Sequence, residues 1–200
     1  MTPAFANFLK QYNATGSEKA DGYSVDHFDG MSEQEKQQAF AMLSEQADVD
    51  PESAQWLFYL DPSKAKDACE GLVRQKKSNP YAASFILLFY LAKYTADVQY
   101  QRQMIEGYAT YAELHKHLAV EYIGRTQTTP GQIEFLKAVT LTEANEKAVA
   151  RAAFNLLRAC AVPSSTDAEK IQFQAYLDSL KGSFETKTRA LKSLEQRHLI

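Results

Sequence analysis

The side chains that come nearest to a chemical site are seven carboxylates, Asp21, Asp26, Asp29, Glu33, Asp48, Asp50 and Glu52, together with four histidines and two cysteines. Asp21, Asp26 and Asp29 invite a calcium reading, but their spacing lacks the alternation of oxygen ligands that an EF-hand loop needs. His27 beside Asp26 could form an acid/base pair, yet no nucleophile motif stands near it. His115 and His117 are two apart, so on a helix they face away from each other and do not chelate one ion. The chain contains no glycine-rich phosphate loop, no GxSxG elbow, no HExxH and no paired CxxC. Cys69 and Cys160 each fall among apolar residues in a predicted helix and read as buried free thiols rather than a disulfide, which suits a reducing cytoplasm. On these grounds no catalysis, cofactor or metal is expected.

What the acids offer instead is a field. Residues 13–70 hold four Lys/Arg against thirteen Asp/Glu, a balance of −9, while the rest of the chain carries +6 and the whole only −3. A field of that sign repels nucleic acid, attracts a basic partner and mainly raises the association rate. The plainer alternative is that surface charge drifts along any helical protein.

The elements that must position these residues are helices. The residues 80–94, PYAASFILLFYLAKY, are apolar all round, and a helix of that kind is covered on every side. At 15 residues it falls short of the roughly 20 needed to cross a bilayer, and Lys76, Lys77 and Lys93 close it in. It reads as the central helix of a core, each large side chain contributing about 1.5–3 kcal/mol when buried. A capping residue followed by Pro recurs at Asp50-Pro51, Asp61-Pro62, Asn79-Pro80 and Thr129-Pro130, the usual form of a helix start. Helices are predicted over 3–12, from Ser32 onward with a Ser32/Glu35 capping box, and over 51–60, 62–77, 80–94, 96–109, 112–125, 130–139, 143–161, 166–181 and 184–199. Phe40, Met42 and Leu43 are expected on the buried side of the second of these. Residues 13–30, rich in Gly, Ser, Asn and Asp, read as a long loop. No stretch alternates for long enough to make a strand. The expectation is an all-α single domain over 1–200, an array of antiparallel helix pairs. The start, MTPAFANFLKQYNATG, lacks the pattern of a secretory signal, so a cytoplasmic location is expected.

Two further features bear on binding. Eleven tyrosines are present, concentrated in the middle third at Tyr90, Tyr94, Tyr100, Tyr108, Tyr111 and Tyr122. Core edges explain most of them, and an exposed subset could anchor a partner. The last helix sets Phe184, Leu191, Leu194 and Leu199 on an apolar side, with Lys187, Arg189, Lys192 and Arg197 outside. A basic helix can bind nucleic acid or membrane, but cations near a helix C-terminus are expected from the dipole alone, and that reading is preferred.

The residues NEKAVARAAFNLLRACAVP, 145–163, resemble the second helix of a HEAT repeat through Val149, Arg151, Ala152, Ala153, Leu156 and Leu157. Ala150 is inserted between Val and Arg relative to the usual pattern. The resemblance implies close helix contact at the Ala pair and an Arg that spans to a neighbouring repeat. With FDGMSEQEKQQAFAML at residues 28–43, the layout of 28–162 is similar to the immunity proteins that protect bacteria from polymorphic or contact-dependent growth-inhibition toxins. That likeness implies a toxin–antitoxin partnership: a tight complex with a cognate toxin domain, often a basic nuclease (RNase or DNase), whose active site is occluded. The seven carboxylates named above would be the partner-binding residues, standing in for phosphates, with no direct nucleic acid and no membrane contact. An adaptor for another protein partner shares all these features. A nucleic-acid enzyme similar to the helical alkyl-purine DNA glycosylases would need a continuous basic surface, whereas here the pI is near 5.8 and the single Trp56 lies in the most acidic third.

Overall fold

The computed structural model describes residues 1–76 and 84–196. Among the described residues there are twelve α-helices, joined in places by 3-10 turns, and no strand; the chain is all-α. It divides into two compact units, Met1–Leu72 and Val73–Ile200. No described helix is long and apolar enough to cross a membrane.

The first unit begins with α1 (Pro3–Tyr12), whose N-cap Thr2 accepts a hydrogen bond from the Phe5 N–H at 3.2 Å and which turns Ala4, Phe5 and Phe8 inward. The segment expected as a bare loop over 13–30 contains a short helix, α2 (Gly16–Ala20), and a 3-10 turn, Val25–His27. Its order comes from two aromatic residues rather than from periodicity, because Tyr23 and Phe28 both pack on Phe8. Gly22 and Gly30 flank that stretch in the left-handed region, at φ +67° and +86°, where a Cβ would be strained.

α3 (Glu33–Val49) starts at the predicted capping box, with Ser32 and Glu35 bonding reciprocally. Its buried stripe is Ala39, Leu43 and Ala47, four residues apart; the bulkier Phe40 and Met42 are only half-buried. Small residues on that stripe let α4 (Ala54–Leu60) lie close along α3. Asp50 does not cap the helix after it. Its carboxylate accepts instead from Gln46 Nε2 at 3.3 Å and Ser53 Oγ at 3.4 Å, and Pro51–Ser53 forms a 3-10 turn before α4. Asp61 does cap α5 (Pro62–Lys76), accepting from the Lys64 N–H at 3.1 Å.

The second unit contains α6 (Ser84–Thr95), α7 (Val98–Gly107), α8 (Lys116–Gly124), α9 (Pro130–Thr142), α10 (Glu146–Ala159), α11 (Asp167–Lys181) and α12 (Phe184–Gln196). Residues 80–83 of the expected central helix lie outside the described residues. In the rest, every side chain from Phe85 to Leu91 is buried, with α7 and α8 packed against it. α10 packs on α8, α9 and α11. Ala152 and Ala153 are fully buried, and Arg151 reaches Glu121 of α8 at 3.5 Å. α10 ends in a Schellman motif: the Ala161 and Val162 N–H groups donate to the Arg158 and Leu157 carbonyls, both at 2.9 Å. The left-handed position, φ +50°, is held by Ala161 where glycine is usual.

α12 corrects one expectation. Ala190, Leu191 and Leu194 face inward, but Phe184 at its start is 67% exposed. Arg197, His198 and Leu199 lie outside the described residues.

Candidate functional site

The first unit is built around a cluster of aromatic rings. Phe28 is 1% exposed and touches Phe8 (centroids 5.7 Å), Tyr23 (5.8 Å), Tyr59 (5.8 Å) and Trp56, on which it stacks at 4.9 Å. Trp56 in turn meets Tyr59 edge-on at 6.0 Å. Packing of this kind contributes beyond area burial, because offset and edge-on rings match opposite parts of their quadrupoles. Tyr23 donates its hydroxyl to Gln46 Oε1 at 3.0 Å; burial, then Tyr12 and Asp50, push its pKa up to about 12. Tyr59 is 45% exposed and donates to Asp29 Oδ1, a bond that raises its pKa, with burial a lesser cause.

Around this cluster the seven carboxylates fall in several places rather than on one patch. Asp21, Asp26, Asp29, Glu33 and Asp48 are exposed; Asp50 and Glu52 are half-buried. Asp21 and Asp26 line an open concavity of about 420 Å³ with Glu18, Lys10 and His27. Asp50 and Glu52 line a smaller one of about 100 Å³ whose wall includes Tyr23, Trp56 and Lys19. Gln11 borders both. Glu33 belongs to neither: it pairs with Lys36 at 2.8 Å and lies in a groove of about 430 Å³ floored by Phe40 and Leu60. Asp29 stands at the aromatic cluster through Tyr59. Asp48 projects from α3.

The histidine of the acidic stretch is occupied by its own turn. His27 Nδ1 accepts from the Ser24 N–H at 3.0 Å and lies 2.9 Å from Ser24 Oγ, so the lone pair that an acid/base role would use is committed to capping Val25–His27. His115 sits edge-on to Phe85, with ring centroids 6.4 Å apart. Among the described residues no group of three or more His, Cys, Asp or Glu is placed to hold a metal ion. Cys69 and Cys160 are buried and free, and burial pushes their thiols up to about 12 and about 11, so both are neutral at pH 7.

Two carboxylates outside the seven, Glu35, which the sequence showed only as half of a capping box, and Glu143, join distant parts of the chain. Glu35, beyond its capping-box role, accepts from the Thr2 N–H at 2.7 Å and from Thr2 Oγ at 2.9 Å, tying the start of α1 to the start of α3. These bonds from Ser32 and Thr2 lower its pKa to about 2, against an opposing effect of burial. In the second unit Glu143 accepts from the Ala144 and Asn145 N–H groups at 2.8 and 3.0 Å, from Tyr108 at 3.0 Å, and from Lys116, which stands 3.2 Å away. Burial alone would raise its pKa, but those donors outweigh it and hold it low. Burial and the Glu143 contact push the Tyr108 hydroxyl far up. The signal for this cluster was thin: an Asn at an N-cap, with a Glu two residues before it.

Of the tyrosines in the middle third, Tyr90, Tyr100 and Tyr122 are core residues and Tyr94 is exposed. The exposed aromatic residue nearest to the acids is Tyr59, which that reading did not single out. Compared with known proteins, the chain matches no family model, no curated protein and no solved structure.

Proposed function

We propose that this chain is a non-catalytic protein-binding protein whose first unit docks a basic protein domain, and, within that class, a cytoplasmic immunity protein that neutralises a cognate toxin domain of nuclease type. The observation that carries the reading is the exposure of the acids: five of the seven predicted contact carboxylates are exposed on one unit, within a stretch, 13–70, whose balance is −9. Carboxylates held on a rigid framework steer a basic partner and lose little entropy when it arrives. A nuclease active site, built to receive phosphates, presents the complementary charge. Two buried neutral thiols suit a reducing compartment.

The test is capture of the partner from lysate of the source cell with the tagged chain, together with sequencing of the flanking reading frames. A basic toxin domain encoded next to this chain and recovered in a stable complex supports the reading. Recovery of nucleic acid, or of a housekeeping protein encoded elsewhere, overturns it in favour of a nucleic-acid enzyme or an adaptor respectively.

A further inference from the structure

We infer that the outer face of α4, where Tyr59 adjoins both Trp56 and Asp29, receives an arginine side chain of the basic partner and is the anchor point of that interface. The inference rests on the reading of this chain as a binder of a basic domain and says where on the first unit the binding energy is concentrated.

Three observations point to this face rather than to the other acids. First, α4 turns Leu57 and Phe58 inward and leaves Tyr59 substantially exposed. The Tyr59 ring is nevertheless held in place, by Phe28, by the edge-on Trp56 and by the bond from its hydroxyl to Asp29. A rigid aromatic residue of this kind offers contact area at little entropic cost and is favoured at the centres of interfaces. Second, Asp29 makes no ion pair among the described residues, and only its Oδ1 is engaged. By contrast, Glu33 is already paired with Lys36, and the concavity holding Asp21 and Asp26 also contains Lys10. Third, the surrounding residues 13–70 carry a balance of −9, so a cation is the complementary occupant.

A guanidinium fits better than an ammonium. It is planar, it stacks on an aromatic face, and its forked N–H groups can reach a carboxylate at the ring edge while it stacks. Lysine supplies the charge without the plane or the fork.

The test uses the full chain with two probes, hexa-arginine and hexalysine peptides, at low salt. Trp56 is the chain's single tryptophan, so its fluorescence and its indole N–H resonance report on this face and the adjoining concavity of Asp50 and Glu52, and the Tyr59 variants separate the two. Hexa-arginine is expected to shift both signals saturably and to bind more tightly than hexalysine. Tyr59→Leu should weaken hexa-arginine binding by about two- to fivefold, the range of an exposed cation–π contact, and remove the preference over hexalysine. Tyr59→Phe, which keeps the ring, should preserve that preference. Hexa-arginine binding that leaves the unsubstituted chain's Trp56 resonance unmoved, or that Asp21→Asn/Asp26→Asn weakens while Tyr59→Leu does not, would overturn the anchor and leave the acidic-binder reading standing. No binding of either peptide would overturn both.

Discussion

Gly124 at the end of α8 and Asn155 in α10 lie so close that a Cβ on Gly124 would come within 2.3 Å of the Asn155 side-chain amide. Asn155 is buried there, its Nδ2 directed to the Val120 carbonyl at 3.4 Å, so the amide has no open space to retreat into. Gly124→Ala is therefore expected to destabilise the protein by about 1–3 kcal/mol, the cost of overpacking, despite alanine's better helix propensity. Urea unfolding checks this. Adding Asn155→Ala should recover only part of the loss, because the Asn155 Cβ itself would lie 2.6 Å from the new methyl. A Gly124→Ala variant as stable as the parent would show that α8 and α10 can move apart freely.

The pH dependence follows from Glu35. Its carboxyl is lowered from 4.5 to about 2 in the folded chain, so the folded state holds the proton less tightly than the unfolded one. The resulting stabilisation is fully present above about pH 4.5 and is lost as pH falls through the window down to about 2. Other carboxylates are held low as well, Asp61 and Glu169 among them, so the diagnostic quantity is a difference. The melting temperature of Glu35→Gln should fall less steeply than that of the parent between pH 4.5 and 2, while both curves run parallel above pH 5. Equal slopes through the acid window would remove Glu35 as the clasp between α1 and α3.

Ala161 holds the left-handed position of the α10 Schellman motif at φ +50°. A Cβ in that region is disfavoured by roughly 1–2 kcal/mol, whereas glycine accepts it freely. Ala161→Gly is expected to raise stability by about 1 kcal/mol, less the greater freedom that glycine has in the unfolded chain. Thermal melts of the two proteins side by side settle the sign.

Phe28→Ala should cost about 3–5 kcal/mol, as for a fully buried Phe. Its particular signature is local: amide exchange should accelerate through residues 23–29, since Phe28 and Tyr23 are what pin that segment to Phe8. Phe89→Ala, equally buried but in the second unit, should destabilise to a similar extent without that local signature.

For association, reversing Asp26 and Asp29 to lysine should leave the helical circular dichroism unchanged and slow binding to the proposed basic partner, with an effect that shrinks as salt rises. Glu33→Lys should matter less, because Glu33 is already balanced by Lys36 and lies in a different groove. Stopped-flow rates at two ionic strengths distinguish these. Rates indifferent to both changes would take the acidic stretch out of the mechanism.

Much of the helix pattern was written locally. Ser32 with Glu35, Asp61-Pro62 and Thr129-Pro130 are caps that act within three residues of themselves, which is why they could be read from the chain and why each bonds as expected; Thr2 and Asn145 cap α1 and α10 in the same way without having been singled out, Asn145 falling inside the helix expected over 143–161. Asp50 shows the limit of that logic: it has the right neighbour, yet its carboxylate turns back to Gln46 and a 3-10 turn forms instead. The run from Phe85 to Leu91 declared its own burial, because a helix apolar on every side has no face to give to water.

The tertiary structure decided the rest, and the reason is distance along the chain. That 13–30 is ordered depends on Tyr23 and Phe28 finding Phe8 and Trp56. That Tyr59 stands beside Asp29 depends on a contact thirty residues long. Sequence alone determined that the first third is acidic and, through caps and apolar periodicity, that the protein is helical. Which acids share a concavity, which one adjoins an exposed ring and which are already paired are properties of how helices pack, and no local rule of charge or periodicity carries that information.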